Sequence, residues 1–338
     1  MQLSFYRRCG WVLMPGLLVI ASCYPSLAQT PTLARDTSFT VYSALAKARK
    51  ADPTITLARP AVPATIRARM NVPYCTAGGR TLQLDVFYPK ARRRGGYPAV
   101  LLIHGGGWRS GDRSQHVPMA QQLAARGFVA VTAEYRLSTE APYPAAVLDL
   151  KAAVRWMRAN ARAYRINSKQ IATWGFSAGG QLAALLGTTN EETRFDSLAC
   201  NTRYSSQVQA IVDVDGILAF IHPESGEGDD RKSTSAATYW FGSPKTERPD
   251  LWRQASALTY VGPHTPPTLF LNSSVDRMHA GRDDMMQQLS QLNIYHEQHT
   301  FPDAPHPFPL FNPWFQPTLN YTVDFLNRVF GGSSKTNN

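Results

Sequence analysis

The stretch Ile171-Ala172-Thr173-Trp174-Gly175-Phe176-Ser177-Ala178-Gly179-Gly180 decides the fold. An apolar run enters a Gly-x-Ser-x-Gly pentapeptide, which opens onto an Ala-, Gly- and Leu-rich stretch reaching Leu186. The run has the length and composition of a covered strand, and the stretch beyond it that of a small-residue helix. Ser177 then sits on a tight strand-to-helix turn, its hydroxyl exposed at the sheet edge between neighbours too small to clash. The helix N-terminus after it favours negative charge developing at that point. The plain structural alternative is a glycine-rich packing turn.

Outward from this stretch, strands and helices alternate. The pattern predicts strands over 82–86, 99–103, 129–133, 171–176, 208–212, 268–271 and 295–301. Helices are expected over 117–126, 144–162, 178–186, 281–292 and 313–330. Leu82, Leu84 and Val86 alternate as in a half-buried strand, whereas Ala99 to Ile103 is continuously apolar, as a strand covered on both faces requires. Such alternation means βαβ units and a mainly parallel sheet. Residues 214–266, rich in Trp, Tyr, Pro and Gly, interrupt the alternation and read as an insertion over the carboxyl edge, a lid or a substrate wall. Trp240, Phe241 and Trp252 either line a pocket there or pack the lid. Residues 31–72 show little periodicity beyond a short helix near 41–50.

His104-Gly105-Gly106-Gly107-Trp108 follows directly on the strand ending at Ile103. Three glycines let backbone N–H groups approach an anion without Cβ interference. Alone, the motif fits a phosphate loop or a flexible turn, but no Gly-x-x-x-x-Gly-Lys-Ser pattern supports nucleotide binding. Paired with a serine turn further along, it reads as an oxyanion hole.

With both motifs in place, the chain resembles the α/β-hydrolase superfamily, in its His-Gly-Gly-Gly esterase and lipase branch, from about residue 84 to 330. The similarity includes Glu134-Tyr135-Arg136-Leu137 and the helix carrying Pro144, Ala145, Ala146, Asp149, Ala153 and Trp156. The resemblance implies the α/β-hydrolase fold: a mostly parallel eight-stranded sheet, helices on both faces and a lid insertion. It implies a Ser-Asp-His order along the chain and oxyanion donors from Gly106, Gly107 and Ala178. It also implies a serine carboxylesterase without metal or organic cofactor, similar to secreted esterases that remove acetyl groups from plant-wall polysaccharide. The expected partner is a small ester or an acylated carbohydrate. A serine aminopeptidase or formamidase shares the same motifs, and a catalytically silent binding protein could keep the fold.

The base is expected at His306, in Pro302-Asp303-Ala304-Pro305-His306-Pro307-Phe308, where prolines limit backbone freedom. His296 and His299 fall inside the last predicted strand. The acid is expected at Asp276, shortly after the penultimate strand, where the resemblance places it. The family's His-Gly before that acid and Val-Pro after it are here Asn272-Ser273 and His279-Ala280. Asp283 is the nearest substitute, and Asp213 or Asp215, after the preceding strand, offers a third position. Asp149 and Glu134 are expected as structural partners of Arg136 or Arg155.

Composition bounds the rest. The 338 residues carry 35 Lys+Arg against 24 Asp+Glu, a net charge of +11, with 43% hydrophobic and 17% charged residues. That is a globular composition, not a disordered one. Positive charge favours acidic surroundings such as polyanionic polysaccharide or lipid headgroups. Dispersed basic residues and the absence of a recognition motif argue against nucleic acid. Arg7-Arg8 followed by the apolar stretch 11–21 and Ser26-Leu27-Ala28 reads as a signal peptide over 1–28. Ile20-Ala21-Ser22-Cys23 also resembles a lipobox, which would leave a lipid anchor at Cys23. Export to the periplasm or beyond is expected in either form. The remaining cysteines, Cys75 and Cys200, could form one disulfide in an oxidising compartment or stay as two free thiols. The expected organisation is an extension over 29–72, a catalytic domain over 73–330 with the insertion at 214–266, and a disordered tail over 331–338.

Overall fold

The structure, a computed structural model, describes residues 36–331. The expected signal peptide, the lipobox at Cys23 and residues 332–338 of the expected tail lie outside these residues, while Gly331, expected in that tail, ends the helix Phe315–Gly331. Ten strands are described: β1 (Thr56–Leu57), β2 (Ile66–Ala77), β3 (Arg80–Pro89), β4 (Tyr97–Ile103), β5 (Val129–Ala133), β6 (Ile166–Phe176), β7 (Ala210–Val214), β8 (Thr268–Asn272), β9 (His296–Thr300) and β10 (Phe311–Asn312). Eight form one sheet in the order β2-β3-β5-β4-β6-β7-β8-β9, and β1 pairs with β10 beside it. The pairs β2–β3 and β3–β5 are antiparallel, and every pair from β5–β4 to β8–β9 is parallel. This is the mostly parallel eight-stranded sheet that the family resemblance implies.

Period-two geometry divides the core between the two faces. In β4, Ala99, Leu101 and Ile103 point into one apolar cluster with Leu150 and Val154 of the helix Ala145–Ala159 and Leu182 of the helix Ala178–Thr188. Val100 and Leu102 point into the other, with Leu123 of the helix Val117–Ala125 and Leu319 and Leu326 of the helix Phe315–Gly331. Leu82, Leu84 and Val86 alternate as predicted, but Asp85 and Phe87 on the opposite side are buried too, so β3 is covered on both faces.

The sheet also begins earlier than expected: β2 starts at Ile66, before the predicted boundary at residue 73. The segment before it docks on the core. Ala44, Ala48 and Ile55 are buried in the same cluster as Phe308 and Phe311, and β1 joins β10. Cys75 and Cys200 are joined by a disulfide. Within the insertion, Trp240, Phe241 and Trp252 are buried and pack on each other, with Trp108 stacked on Trp240 at 4.9 Å. Asp149 holds Arg136 at 2.7 Å, Glu134 pairs with Arg80 and Arg113, and Arg155 pairs with Asp196.

Candidate active site

Three loops at the carboxyl ends of β6, β7 and β9 bring the reactive groups together. Ser177 follows β6 with φ +58° and ψ −123°, a conformation an L side chain adopts only when its surroundings hold it there. Its N–H donates to the Val214 carbonyl at 2.9 Å, which fixes the turn against β7. The flanking glycines are required by close approach: a Cβ on Gly175 would lie 1.9 Å from the Gly179 carbonyl oxygen, and one on Gly179 would lie 2.1 Å from that of Ile103. The pentapeptide is therefore a packing device that raises the Ser177 hydroxyl above the sheet.

His306 stands in the loop after β9, its ring tilted against Phe176 at 4.9 Å. Its Nε2 is 2.9 Å from Ser177 Oγ, and its Nδ1 is 2.9 Å from Asp215 Oδ2. With the proton on Nδ1 donated to the carboxylate, Nε2 is left to accept from the serine hydroxyl. Asp215 directly follows β7 with φ +50°, and its side chain is fully buried. Its second oxygen accepts from the Ser273 N–H at 2.8 Å. Both carboxylate oxygens are thus occupied, and the ring orientation is held from below.

The expected acid, Asp276, is corrected by this geometry. It opens a single 3-10 turn, Asp276–His279, with 98% of its side chain exposed, and its near neighbour is the His279 ring at 3.8 Å. The turn after β8 is tight enough that Asp276 points to solvent, while Ser273 before it supplies an amide to Asp215. Asp283 pairs with its neighbour Arg282. Asp213 is buried beside Asp215 and accepts from the Gly216 N–H at 3.0 Å. Burial, then the adjacent Asp215 charge, pushes the Asp213 carboxyl well above the usual carboxylate range. Asp215, named only as a third position from sequence, is the residue that meets His306. The available signal was its place immediately after a buried strand, in Val212-Asp213-Val214-Asp215-Gly216.

Gly106, Gly107 and Ala178 line a cavity of about 280 Å³ together with Ser177, His306 and Asp215. The loop carrying the glycines is built around one carbonyl. The Gly106 oxygen accepts from the N–H groups of Arg109 and Ser110 and from Ser110 Oγ. Trp108, at φ +56°, anchors the loop through its indole N–H to Gln181 Oε1 at 2.9 Å. The cavity wall also carries Phe39, Arg109, Glu227 and Arg277, which sequence reading had not singled out. Burial lifts the Glu227 carboxyl above its ordinary range against the opposing charge of Arg277. No motif marks these four, because they meet only through the fold. Among the described residues, no group of three or more His, Cys, Asp or Glu is placed to hold a metal ion.

The BD-FAE family model matches residues 84–282, from β3 through the start of the helix Arg282–Gln291. The chain belongs to the BD-FAE family of α/β-hydrolases. Its similarity to "Esterase LipC" of Mycobacterium tuberculosis runs over 260 residues at 27% identity, covering 73% of this chain and 62% of LipC. The chain thus spans less than two thirds of the length of this curated relative. Among solved structures, a bifunctional GH43-CE protein of Bacteroides eggerthii superposes with TM-score 0.65 at 24% identity, over 77% of this chain and 38% of that one. A truncated carbohydrate esterase from gut microbiota superposes with TM-score 0.64 at 22% identity, over 79% of this chain and 99% of that one. At such identities the superpositions establish the α/β-hydrolase fold.

Proposed function

We propose that the protein is a serine carboxylesterase that hydrolyses small acyl esters through an acyl-enzyme. The observation that carries this reading is the continuous chain from Ser177 Oγ through His306 to Asp215, ending beside the triglycine loop. Neutral His306 takes the Ser177 proton as the oxygen attacks the ester carbonyl. Backbone N–H groups of Gly106, Gly107 and Ala178 hold the oxyanion, each donor worth about 3–4 kcal/mol. Asp215 keeps the imidazole oriented and offsets its positive charge. His306 then hands the proton to the leaving alcohol, and a water activated by the same ring cleaves the acyl-enzyme. The esterase names of relatives such as LipC agree with this chemistry.

A short acyl group such as acetyl fits within the cavity of about 280 Å³ at the triglycine loop. A reading for the alcohol, plant-wall polysaccharide, draws on the net positive charge, +11 for the full sequence and +9 without Arg7 and Arg8 of residues 1–28, which suits an acidic polymer. Export is supported by the sequence of residues 1–28 and by the Cys75–Cys200 bond, since disulfides persist in oxidising compartments. In one exported form Cys23 would carry a lipid. The test of the central reading is p-nitrophenyl acetate hydrolysis by the wild type and by Ser177→Ala, together with labelling by a fluorophosphonate probe. Wild-type turnover far above the variant, with labelling only of the wild type, is expected. Equal turnover would overturn the reading.

A further inference from the structure

A second cavity, of about 860 Å³, adjoins the smaller one at His306. It shares Ser38, Phe39, Arg277 and His306 with the smaller cavity but is lined by neither Ser177 nor the glycines of the triglycine loop. In ester cleavage the histidine protonates the leaving oxygen, so the alcohol lies on the histidine's side, whereas the carbonyl oxygen points to the loop. We propose that this second cavity is the alcohol subsite and that it takes a neutral, ring-bearing, apolar alcohol. This inference rests on the esterase reading above and assigns the alcohol half of the substrate from the cavity walls, in place of the polysaccharide that net charge alone suggests.

The walls define the occupant. Phe39, Ala44, Ala48, Ile55, Pro305 and Trp314 present an apolar surface with two aromatic rings. The charges at the rim are Lys47 and Arg277 against Asp52 and Asp303, two of each sign, so the site selects for no net charge. Its volume falls in the range of small-molecule pockets, large enough for a ring and its linker.

One wall is the segment 38–55, which precedes the residues matched by the family model. It is pinned at both ends. Asp36 forms an ion pair with Arg109 and bridges to Ser110, and β1 pairs with β10 next to the His306 loop. Between the pins the helix Val41–Ala48 turns Ala44 and Ala48 inward, and small side chains there leave the cavity open. Alcohol selectivity is thereby assigned to a part of the chain outside the matched family domain.

The test compares two acetates with primary alkyl alcohols, ethyl acetate and 2-phenylethyl acetate, so that acyl group and leaving-group chemistry stay the same. The wild type is expected to favour the phenylethyl ester in kcat/KM by roughly tenfold or more. Ala51→Trp, which fills the cavity from an exposed position, and Trp314→Ala, which removes a wall, should each bring the ratio close to one. Tyr42→Ser, on the outer face of the same helix, should leave the ratio as it is. Both acetates hydrolysed at equal kcat/KM, or a preference that survives both cavity variants, would overturn the alcohol subsite and leave the esterase reading standing. A preference of the wild type for acetylated xylan over the phenylethyl ester, lost in Ala51→Trp, would replace the apolar alcohol by a sugar. Neither acetate turned over above the Ser177→Ala background would remove the esterase reading and the subsite together.

Discussion

The distinction between Asp215 and Asp276 shows how little of a triad is a property of sequence position. Asp215 directly follows a buried strand and Asp276 lies a few residues beyond one, and resemblance favours Asp276, yet the turn after β8 sends that side chain into water. Asp215→Asn should lower kcat for p-nitrophenyl acetate by roughly 10²–10⁴-fold, because the amide no longer holds the imidazole in the required tautomer. Asp276→Asn should change it less than about twofold, since an exposed charge 3.8 Å from His279 contributes little. Steady-state rates of the two variants, with melting curves to exclude unfolding, read the difference; a larger loss in Asp276→Asn would return the acid to the later loop. Ser177 and His306 could be read from local sequence because glycines and prolines constrain the backbone around them. The acid carries no such punctuation and is selected by which carboxylate lies under the ring. Asp213 gives a pH signature at the same scale. Its folded carboxyl is raised above its ordinary 3.8, so the stability associated with its protonated form is fully present below that value and is lost as pH rises through the raised one. Asp213→Asn, neutral throughout, should therefore gain stability relative to wild type as pH increases. Urea midpoints at pH 4 to 8 that run parallel for the two proteins would contradict this.

At the scale of elements, the two motifs are short loops whose shape depends on backbone passing backbone. Gly106 has φ +124°, and a Cβ there would come 2.2 Å from the Ser110 carbonyl oxygen and 2.6 Å from its carbon. Neither atom belongs to a flexible side chain, so the loop must shift. On the proposed oxyanion role of this loop, Gly106→Ala should displace a donor and lower kcat by about 10²–10³-fold, the loss typical of one missing donor. The Ser177–His306 pair lies on other loops, so fluorophosphonate labelling should be slowed but not abolished. Hydrolysis at the wild-type rate in this variant would show that the loop does not hold the oxyanion. Both loops were legible as a pair because each follows an apolar strand, and the serine turn gives the triglycine motif a reading that it lacks alone. The helix Val41–Ala48 was legible as a short helix, but its role as a wall of the site was not. Its alanines acquire meaning only when β1 pairs with β10, more than 250 residues further along the chain.

At the scale of the molecule, the loops of Ser177, Asp215 and His306 follow β6, β7 and β9 in the half of the sheet that ends at β9, while β2 lies at the opposite edge. The Cys75–Cys200 bond ties that distant edge to the loop after the helix Ala178–Thr188. Arg155 reinforces the same loop from the neighbouring helix, donating to the carbonyls of Leu198 and Cys200 and to Asp196. Sequence could count the two cysteines but not pair them, because their separation of 125 residues is closed by strand order, not by local pattern. Closing so long a loop restricts the unfolded chain, and removing such a link typically costs about 2–5 kcal/mol. Cys200→Ser should accordingly lower the urea-unfolding free energy by about that amount. Reduction of the wild type by dithiothreitol should produce the same loss, and the variant should no longer respond to reductant. Because the bond is remote from Ser177 and His306 in sheet order, kcat for p-nitrophenyl acetate below the unfolding range should stay near wild type. Equal unfolding midpoints with and without reductant would show that the sheet and the Arg155 contacts alone fix this edge, and that the covalent link adds nothing to them.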